Sequence, residues 1–525
     1  MGALTLKSFP FELRGWDLEK FDAIDPTDSF GSNVKVFINN RQIIQIEPNY
    51  NSKYPIWVHD KGRQFFDSLI KNTNDNLNNF MNSWNNTTKT LYKTIYLFEL
   101  CGLKYPHTNF FTLIYENLSM NLLCLLTMYA QKYPFIKLKK AEKINLNNDL
   151  EFNFLLNKKL APTKINESSL CLLVSNNPRF EGSALNLNLR QRILKGNFKC
   201  LIIGSSMDLT YSIEFLGQTS AKILKAVAEG VHFVCQDFKH AKNPIVILST
   251  ELFKRNDSKN LTQILSYLNT LNRPTWFNTL NASLFETGTQ YITKTTTLSR
   301  VDLTQFSSIY FINLNNYSNI FINKILKTNL IYLKFIVPWI GKVYLNQNYY
   351  ENLNFHNKYF TKKFDKYLYL PIKMFFETKD TFLNTEGLVK NANELITKTQ
   401  TKSGWKIIRN LFNLKKKKLS HLNIKTNSKI NLDLTNHKFK VFINLMYKTT
   451  KSLNKNILLI NDQNTNQFSN NKIKLLKIKK IKFLNTKIKL WLNDFFTGGK
   501  DEFSRNSLTM IKCSNINRLQ STNFF

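Results

Sequence analysis

Short apolar blocks separated by polar turns dominate the first half of the chain, and their spacing sets the expected elements. Val34-Lys35-Val36-Phe37-Ile38, the polar Asn39-Asn40-Arg41 and Gln42-Ile43-Ile44-Gln45-Ile46 read as strand, turn, strand. Asp25-Pro26-Thr27-Asp28 just before them is turn chemistry. Leu170-Cys171-Leu172-Leu173-Val174 runs into Ser175-Asn176-Asn177-Pro178, and Leu185, Leu189 and Ile193 then fall at helical spacing. Lys199-Cys200-Leu201-Ile202-Ile203 gives the next strand, 221–229 a helix, and Ile245-Val246-Ile247-Leu248 a further strand. Strand, helix, strand at this interval predicts a parallel sheet with right-handed crossovers.

The rest of the pattern is less regular. Phe65, Phe66 and Ile70 give a helix that Asp60 can cap, and 91–103 and 113–133 are expected to be helical. Residues 137–164 read as a drifted loop or insertion. Trp276-Phe277-Asn278, 308–314, 333–337 and 341–344 are candidate strands of a second α/β layer. Tyr367-Leu368-Tyr369-Leu370-Pro371 is another apolar run, and Gly387 is placed for a tight turn or a positive φ. Lys415-Lys416-Lys417-Lys418 marks a solvated boundary. In the basic stretch 472–482, Lys and aliphatic residues interleave without a clean helical period, which suits a membrane-surface helix poorly.

Composition changes this picture in two ways. At 525 residues, 43% apolar and 13% aromatic, the chain can build several domains around a large core. Lys+Arg 73 against Asp+Glu 36 gives a net charge of +37, which would point to nucleic acid or an anionic membrane. The same charge follows from a bias to Lys, Asn, Ile and Phe with few Gly (16) and Pro (12), as an AT-rich genome produces, and that explanation is preferred. The most apolar stretches, 111–130 and 314–344, are broken by Glu116 and by Lys324, Lys327 and Lys334, so neither predicts a membrane span. The first residues fit neither a myristoylation signal, with Leu6 at its Ser/Thr position, nor a transit peptide, with Glu12, Asp17 and Glu19 present.

Candidate chemistry is thin. Cys101, Cys124, Cys171, Cys200, Cys235 and Cys513 include no C-x-x-C pair, so neither a zinc ribbon nor an iron–sulfur loop is expected. His232, Cys235 and His240 carry plausible ligand types, but three residues on one short segment more often pack or start a helix. Asp22, Asp25 and Asp28 could hold a cation; a solvated turn is the expected reading. Glu377 and Glu386 could be taken for an acid/base pair, yet no nucleophile or perturbing neighbour accompanies them, and structural roles are expected. No catalytic, cofactor-binding or metal-ligating residue is therefore assigned.

Several blocks, in order, carry a resemblance. Gly2-Ala3-Leu4-Thr5 is similar to the end of a CP-x-GALT motif, Ser29-Phe30-Gly31-Ser32-Asn33-Val34 to a DAVGSNI stretch, and Trp57-Val58-His59-Asp60-Lys61 to W-I-S-D-K. Asn177-Pro178-Arg179-Phe180-Glu181 matches NPRFE, and Gly204-Ser205-Ser206-Met207-Asp208-Leu209-Thr210-Tyr211 is close to GSPVDLTY. Glu377-Thr378-Lys379, Asn384-Thr385-Glu386-Gly387, Gly404-Trp405-Lys406-Ile407 and the 504–513 end complete the set. Together they resemble the C-terminal, molybdopterin-oxidoreductase-like part of the large (75-kDa) iron–sulfur subunits of respiratory complex I.

That resemblance implies an α/β, molybdopterin-oxidoreductase-like fold, with a small N-terminal β unit (1–50) ahead of layered parallel-sheet domains. The expected division is 51–250, then 251–350, a closing segment 351–413, and a basic region with the family end, 414–525. It also implies a structural subunit of the mitochondrial peripheral arm, matrix side, with no redox centre of its own. It would brace an iron–sulfur half carried on a separate chain, as a split and mitochondrially encoded subunit, without nucleic acid or a membrane span. Two alternatives stay open: a working molybdenum or tungsten oxidoreductase, and an organellar RNA-binding protein.

Overall fold

A computed structural model describes residues 13–50, 57–70, 110–115, 118–132, 136–140, 162–204, 208–218, 220–255, 257–271, 277–292, 306–312, 335–339, 373, 375–396, 403–409, 481–483, 503 and 507–522. The expected features at 91–103, 341–344, 367–371 and 415–418 lie outside those residues.

The N-terminal unit is an antiparallel sheet of β1 (Glu19–Ile24), β2 (Asn33–Asn39) and β3 (Gln42–Pro48). Asn40 (φ 47°) and Arg41 (φ 65°) join β2 to β3. Two positive φ values in a two-residue loop make the turn whose twist matches a hairpin, and Asn tolerates that region. Next come α1 (Asp60–Gln64) and α2 (Asp67–Ile70). Then β4 (Phe110–Tyr115), α3 (Met120–Lys132) and β5 (Ile136–Lys140) follow. The helix expected over 113–133 is thus shortened at its start. Phe, Thr, Ile and Tyr favour the extended chain there, and β4 takes a place between two parallel neighbours. The expected loop over 137–164 likewise gives up its ends, to β5 and to α4 (Pro162–Glu167).

A five-stranded parallel sheet is the scaffold of the molecule. Its strands are β6 (Leu170–Val174), β7 (Lys199–Ile203), β8 (Glu214–Gly217), β9 (Ile245–Ser249) and β10 (Phe277–Leu280). Connecting them are α5 (Pro178–Glu181), α6 (Ser183–Leu194), α7 (Ser220–Glu229), α8 (Val234–His240) and α9 (Ser258–Leu271). The strand order is β10-β9-β6-β7-β8. The chain therefore winds outward from β6, returns to β9 on the other side and winds outward again, so the order reverses between β6 and β9. Side chains alternate between the two faces. Cys171, Leu173, Cys200, Ile202, Ile245 and Ile247 pack against Ala184, Leu185 and Leu189 of α6. Leu170, Leu172, Val174, Leu201, Ile203, Val246 and Leu248 meet α7, α8 and α9 on the opposite face.

After α10 (Leu284–Ile292), the strands β11 (Phe306–Ile312) and β12 (Phe335–Trp339) pair in parallel with β4 and each other, in the order β12-β11-β4-β5. Strand pairing thus crosses the boundary expected at residue 250. β10 completes the first sheet, and the second sheet is built from chain on both sides of it. Finally β13 (Asp380–Leu383) and β14 (Val389–Ala392) form a hairpin, and α11 (Leu508–Thr522) ends the described chain. From the basic stretch, Ile481 and Phe483 pack onto α7 and α9, while Lys225 Nζ and Asn260 Nδ2 donate to the carbonyls of Ile481 and Lys482.

One core ties the two ends of the chain together. Val34, Val36, Ile38, Ile43 and Ile46 of the N-terminal sheet share it with Phe65, Phe285, Phe375, Phe376, Phe382, Phe503 and Met510. The Phe65 ring lies 5.4 Å from both Phe376 and Phe503, and Phe285 lies 5.3 Å from Phe382. Burial and edge-to-face geometry both stabilise such clusters. Phe376→Ala is expected to cost about 3–5 kcal/mol, the usual range for emptying a buried aromatic site. A fall in the denaturant midpoint, with faster backbone exchange in both the N-terminal sheet and α11, checks it.

Candidate functional site: a buried acidic turn at the sheet's carboxyl end

The segment from Asp25 to Ser32 is the turn between β1 and β2, and every residue of it is buried. Its two carboxylates fold it. Asp25 Oδ1 accepts from Thr27 N (2.8 Å) and Thr27 Oγ1 (2.7 Å). Asp28 Oδ1 accepts from Phe30 N (3.1 Å), and Asp28 Oδ2 accepts from Ser32 Oγ (2.5 Å) and Ser183 Oγ (3.0 Å). The solvated turn expected of Asp22, Asp25 and Asp28 is therefore corrected. Asp25 and Asp28 are inside because local N–H and hydroxyl donors replace water, while Asp22 stays exposed and accepts from Asn49 Nδ2. The three are not gathered around a cation, and no group of three or more possible metal ligands occurs among the described residues.

His59 closes the turn from the other side. Its Nδ1 lies 3.4 Å from Asp25 Oδ2 and accepts from Gly62 N at 3.3 Å; its Nε2 lies 3.5 Å from Thr27 Oγ1. The α1 cap is thus His59, not the expected Asp60, which is the first helical residue. Gly62 is required by proximity, since a Cβ there would lie 2.2 Å from Asp25 Oδ2. Burial, the largest influence, pushes the Asp28 carboxyl above its ordinary value. Protonation of His59 opposes that shift, and Asp25 adds to it.

Three other segments grip the turn's backbone. Ser29 N donates to Glu181 O (3.1 Å), and Leu284 N donates to Pro26 O (3.4 Å). Thr385 donates to Ser29 O twice, from N (3.0 Å) and Oγ1 (3.1 Å), and Asn384 Nδ2 donates to Phe30 O (3.2 Å). The Phe30 ring packs against Gly182, where a Cβ would meet it at 2.8 Å, and joins the core beside Leu280. Glu181 and Gly182 follow β6, while Leu280 and Leu284 end β10 and start α10. The turn consequently sits across the carboxyl end of the sheet, beside the reversal of strand order.

Polar groups in the loops around it are used internally. Asn177 Oδ1 caps α5 through Arg179 N (3.2 Å), and Glu181 Oε2 accepts from Asn177 N (3.3 Å). Asn176 Nδ2 donates to Ile247 O (3.2 Å). Glu286 Oε2 accepts from Thr250 Oγ1 (3.1 Å) and Ala282 N (3.0 Å). Ser175 Oγ and Asn176 Oδ1 are exceptions, buried and without a hydrogen-bond partner among the described residues.

The other candidates separate. His232 Nδ1 accepts from Val234 N at 3.3 Å, its ring stacks on Phe233, and Cys235 Sγ lies 3.5 Å from Val227 O: local packing around the start of α8. Glu377 is buried before β13 and Glu386 lies in the turn after it, so a strand stands between them. Gly387 has φ +79°, as expected of that turn. Cys171 and Cys200 face each other on β6 and β7. A hydrogen bond to Cys200, then burial, holds the Cys171 thiol well above its usual range, and burial alone pushes Cys124 up to about 12. Protonated thiols of this kind are inert. Nothing in the spacing along the chain marks Ser29, Phe30, Gly182, Ser183, Glu286 and Thr385 as a set, because they meet only through tertiary contact.

Comparison with known proteins agrees with this architecture. Residues 112–414, more than half of the chain, match the molybdopterin oxidoreductase family, and the chain belongs to that family. Within it, the chain is similar along 99% of its length to the NADH-ubiquinone oxidoreductase 75 kDa subunit of Reclinomonas americana, at 28% identity and over 71% of that protein. It is also 27% identical, over 54% of this chain and 39% of the relative, to the mitochondrial NADH dehydrogenase [ubiquinone] iron-sulfur protein 1 of Solanum tuberosum. The Neurospora crassa 78 kDa subunit is 25% identical over 49% of the chain and 35% of the relative. The resemblance to the large complex I subunit is thereby borne out, and the chain spans only part of each relative.

The family name implies a pterin cofactor, and the described residues at the sheet's carboxyl end do not fit one. At the start of α5 the N–H groups of Asn177 and Arg179 are taken by Glu181 and Asn177. The carboxyl groups of Asp28, Glu181 and Glu286 at this end bring acidic rather than cationic groups and accept hydrogen bonds from the protein, while Cys171 and Cys200 lie within strands and face the core.

Because the folded Asp28 carboxyl holds its proton more tightly than the unfolded one, this group stabilises the fold at low pH. That contribution is lost as pH rises from the ordinary value near 3.8 through the raised folded value. Asp28→Asn is expected to flatten this part of the stability–pH curve, as measured by denaturant midpoints between acid and neutral pH.

Proposed function

We propose that the chain is a structural part of the peripheral, matrix-facing arm of mitochondrial NADH:ubiquinone oxidoreductase, and that it carries no redox centre itself. The observation that carries this reading is the buried turn 25–32, whose backbone and carboxylates use the donors and acceptors that a cofactor would need. The names of the relatives support the complex, and no described helix is long and apolar enough to cross a membrane.

In this role the chain's work is positional. The core shared by the N-terminal sheet, the β13–β14 hairpin and α11 makes the two ends of the chain one rigid body. Such a body braces the iron–sulfur-bearing portion of the subunit, holds the spacing of its clusters and keeps water from them. Its partner is that cluster-bearing portion of the subunit.

On a native gel the chain is expected to migrate with NADH dehydrogenase activity. Metal analysis of the purified chain is expected to give no stoichiometric molybdenum or tungsten. Either metal at one equivalent, or migration apart from that activity, would overturn the proposal.

A further inference from the structure

The doubly wound sheet has its ligand-binding position outside the carboxyl ends of β6 and β9, where the strand order reverses. Residues flanking that position are Glu181, Gly182, Leu280, Leu284 and Glu286, and all but Glu286 touch the turn 25–32. We infer that this turn is a resident intramolecular ligand: the socket of the fold has become the docking site for the chain's own Asp25–Ser32 segment, and a phosphate-bearing ligand is excluded while it is seated. The inference deepens the structural role proposed above and gives it a device.

Three features make the seat specific rather than incidental contact. Phe30 enters the sheet's core against Gly182, where a Cβ would lie 2.8 Å from the ring and force it to shift. Ser29 is held at both backbone polar groups by different segments, its N–H by the loop after β6 and its carbonyl by the hairpin turn at Thr385. Asp28 reaches the start of α6, where its Oδ2 accepts from the Ser183 hydroxyl. The charges facing Asp28 are His59 on the α1 side, Asp25 within the turn and Lys390 on β14. An incoming phosphate would meet Asp28, Glu181 and Glu286 and would have to displace the Phe30 ring.

Hydrogen exchange on the full chain, in whatever assembly it purifies, tests this at named amides: Ser29, Gly31, Leu284 and Thr385, with Asn384, bonded inside the hairpin to Leu388 O, as the internal control. In the native protein the four are expected to be protected together, with no change when pyrophosphate or GTP is added at millimolar concentration. Gly182→Ala is expected to accelerate exchange at Ser29, Leu284 and Thr385 at least tenfold while β6 and β9 stay protected. Should that variant fail to fold, Thr385→Val, which removes the Oγ1 bond and keeps the N–H, is expected to accelerate Ser29 and Thr385 by a few-fold. Fast, uncorrelated exchange of the four in the native protein would overturn the inference, as would added protection or saturable binding with pyrophosphate or GTP. Those outcomes are separate from molybdenum content or gel migration, so this inference and the structural role can fail independently.

Discussion

Two carboxylates taken out of water inside one turn hold this molecule in its arrangement. Removing Asp25 and Asp28 from solvent is unfavourable, and the fold offsets it with a donor for each oxygen that local geometry can reach: Thr27, Phe30, Ser32 and Ser183, with His59 alongside. A polar network of this kind is unforgiving of displacement, because a carboxylate moved by an ångström inside a low-dielectric interior loses its bonds without regaining water. The consequence is positional. The N-terminal sheet, the loop after β6, the start of α10 and the β13–β14 turn can meet in one arrangement only. Hydrophobic packing by itself would tolerate several.

The apolar cores and the polar turn divide the work. Packing of the sheet faces against α6, α7 and α9 supplies non-directional stabilisation, and the phenylalanine cluster from Phe65 to Phe503 does the same between the chain's ends. Neither fixes the angle between the N-terminal unit and the sheet. The hydrogen bonds on Ser29 and Phe30 do, since they are directional and come from opposite sides. Rigid attachment of this sort is what the proposed bracing role requires. A flexible joint at Ser29 would let the distance between the two ends of the chain drift.

Much of the architecture was readable where periodicity was strong. The runs 170–174 and 200–203 are buried on both faces of a parallel sheet and are continuously apolar, so the strands and their crossovers followed from the pattern. Hairpin chemistry at Asn40-Arg41 and the positive φ at Gly387 were legible because each depends on its own residue type. Sheet membership was not. β10 joins the first sheet and β11 the second, although both lie in one expected layer, since strand partners are chosen by tertiary packing and leave no mark in local spacing. The start of the 113–133 segment was misread for a related reason: an apolar run of that length suits a buried strand or a buried helix, and only the neighbours decide.

The polar centre was legible in part, and the reason is instructive. Asp-Pro-Thr-Asp identifies a turn, and turns lie at the surface unless something else satisfies their backbone. What satisfies this one is distributed over more than three hundred residues, from His59 to Thr385, and sequence alone does not bring those positions together. The family resemblance carried the blocks that contain them without saying that they touch. Contact is what gives the resemblance its physical content. NPRFE supplies the glutamate whose carbonyl receives Ser29, and Asn-Thr-Glu-Gly supplies the asparagine and threonine that hold Phe30 and Ser29. The motifs shared with an oxidoreductase family are, in this chain, the surfaces on which one short acidic turn is seated.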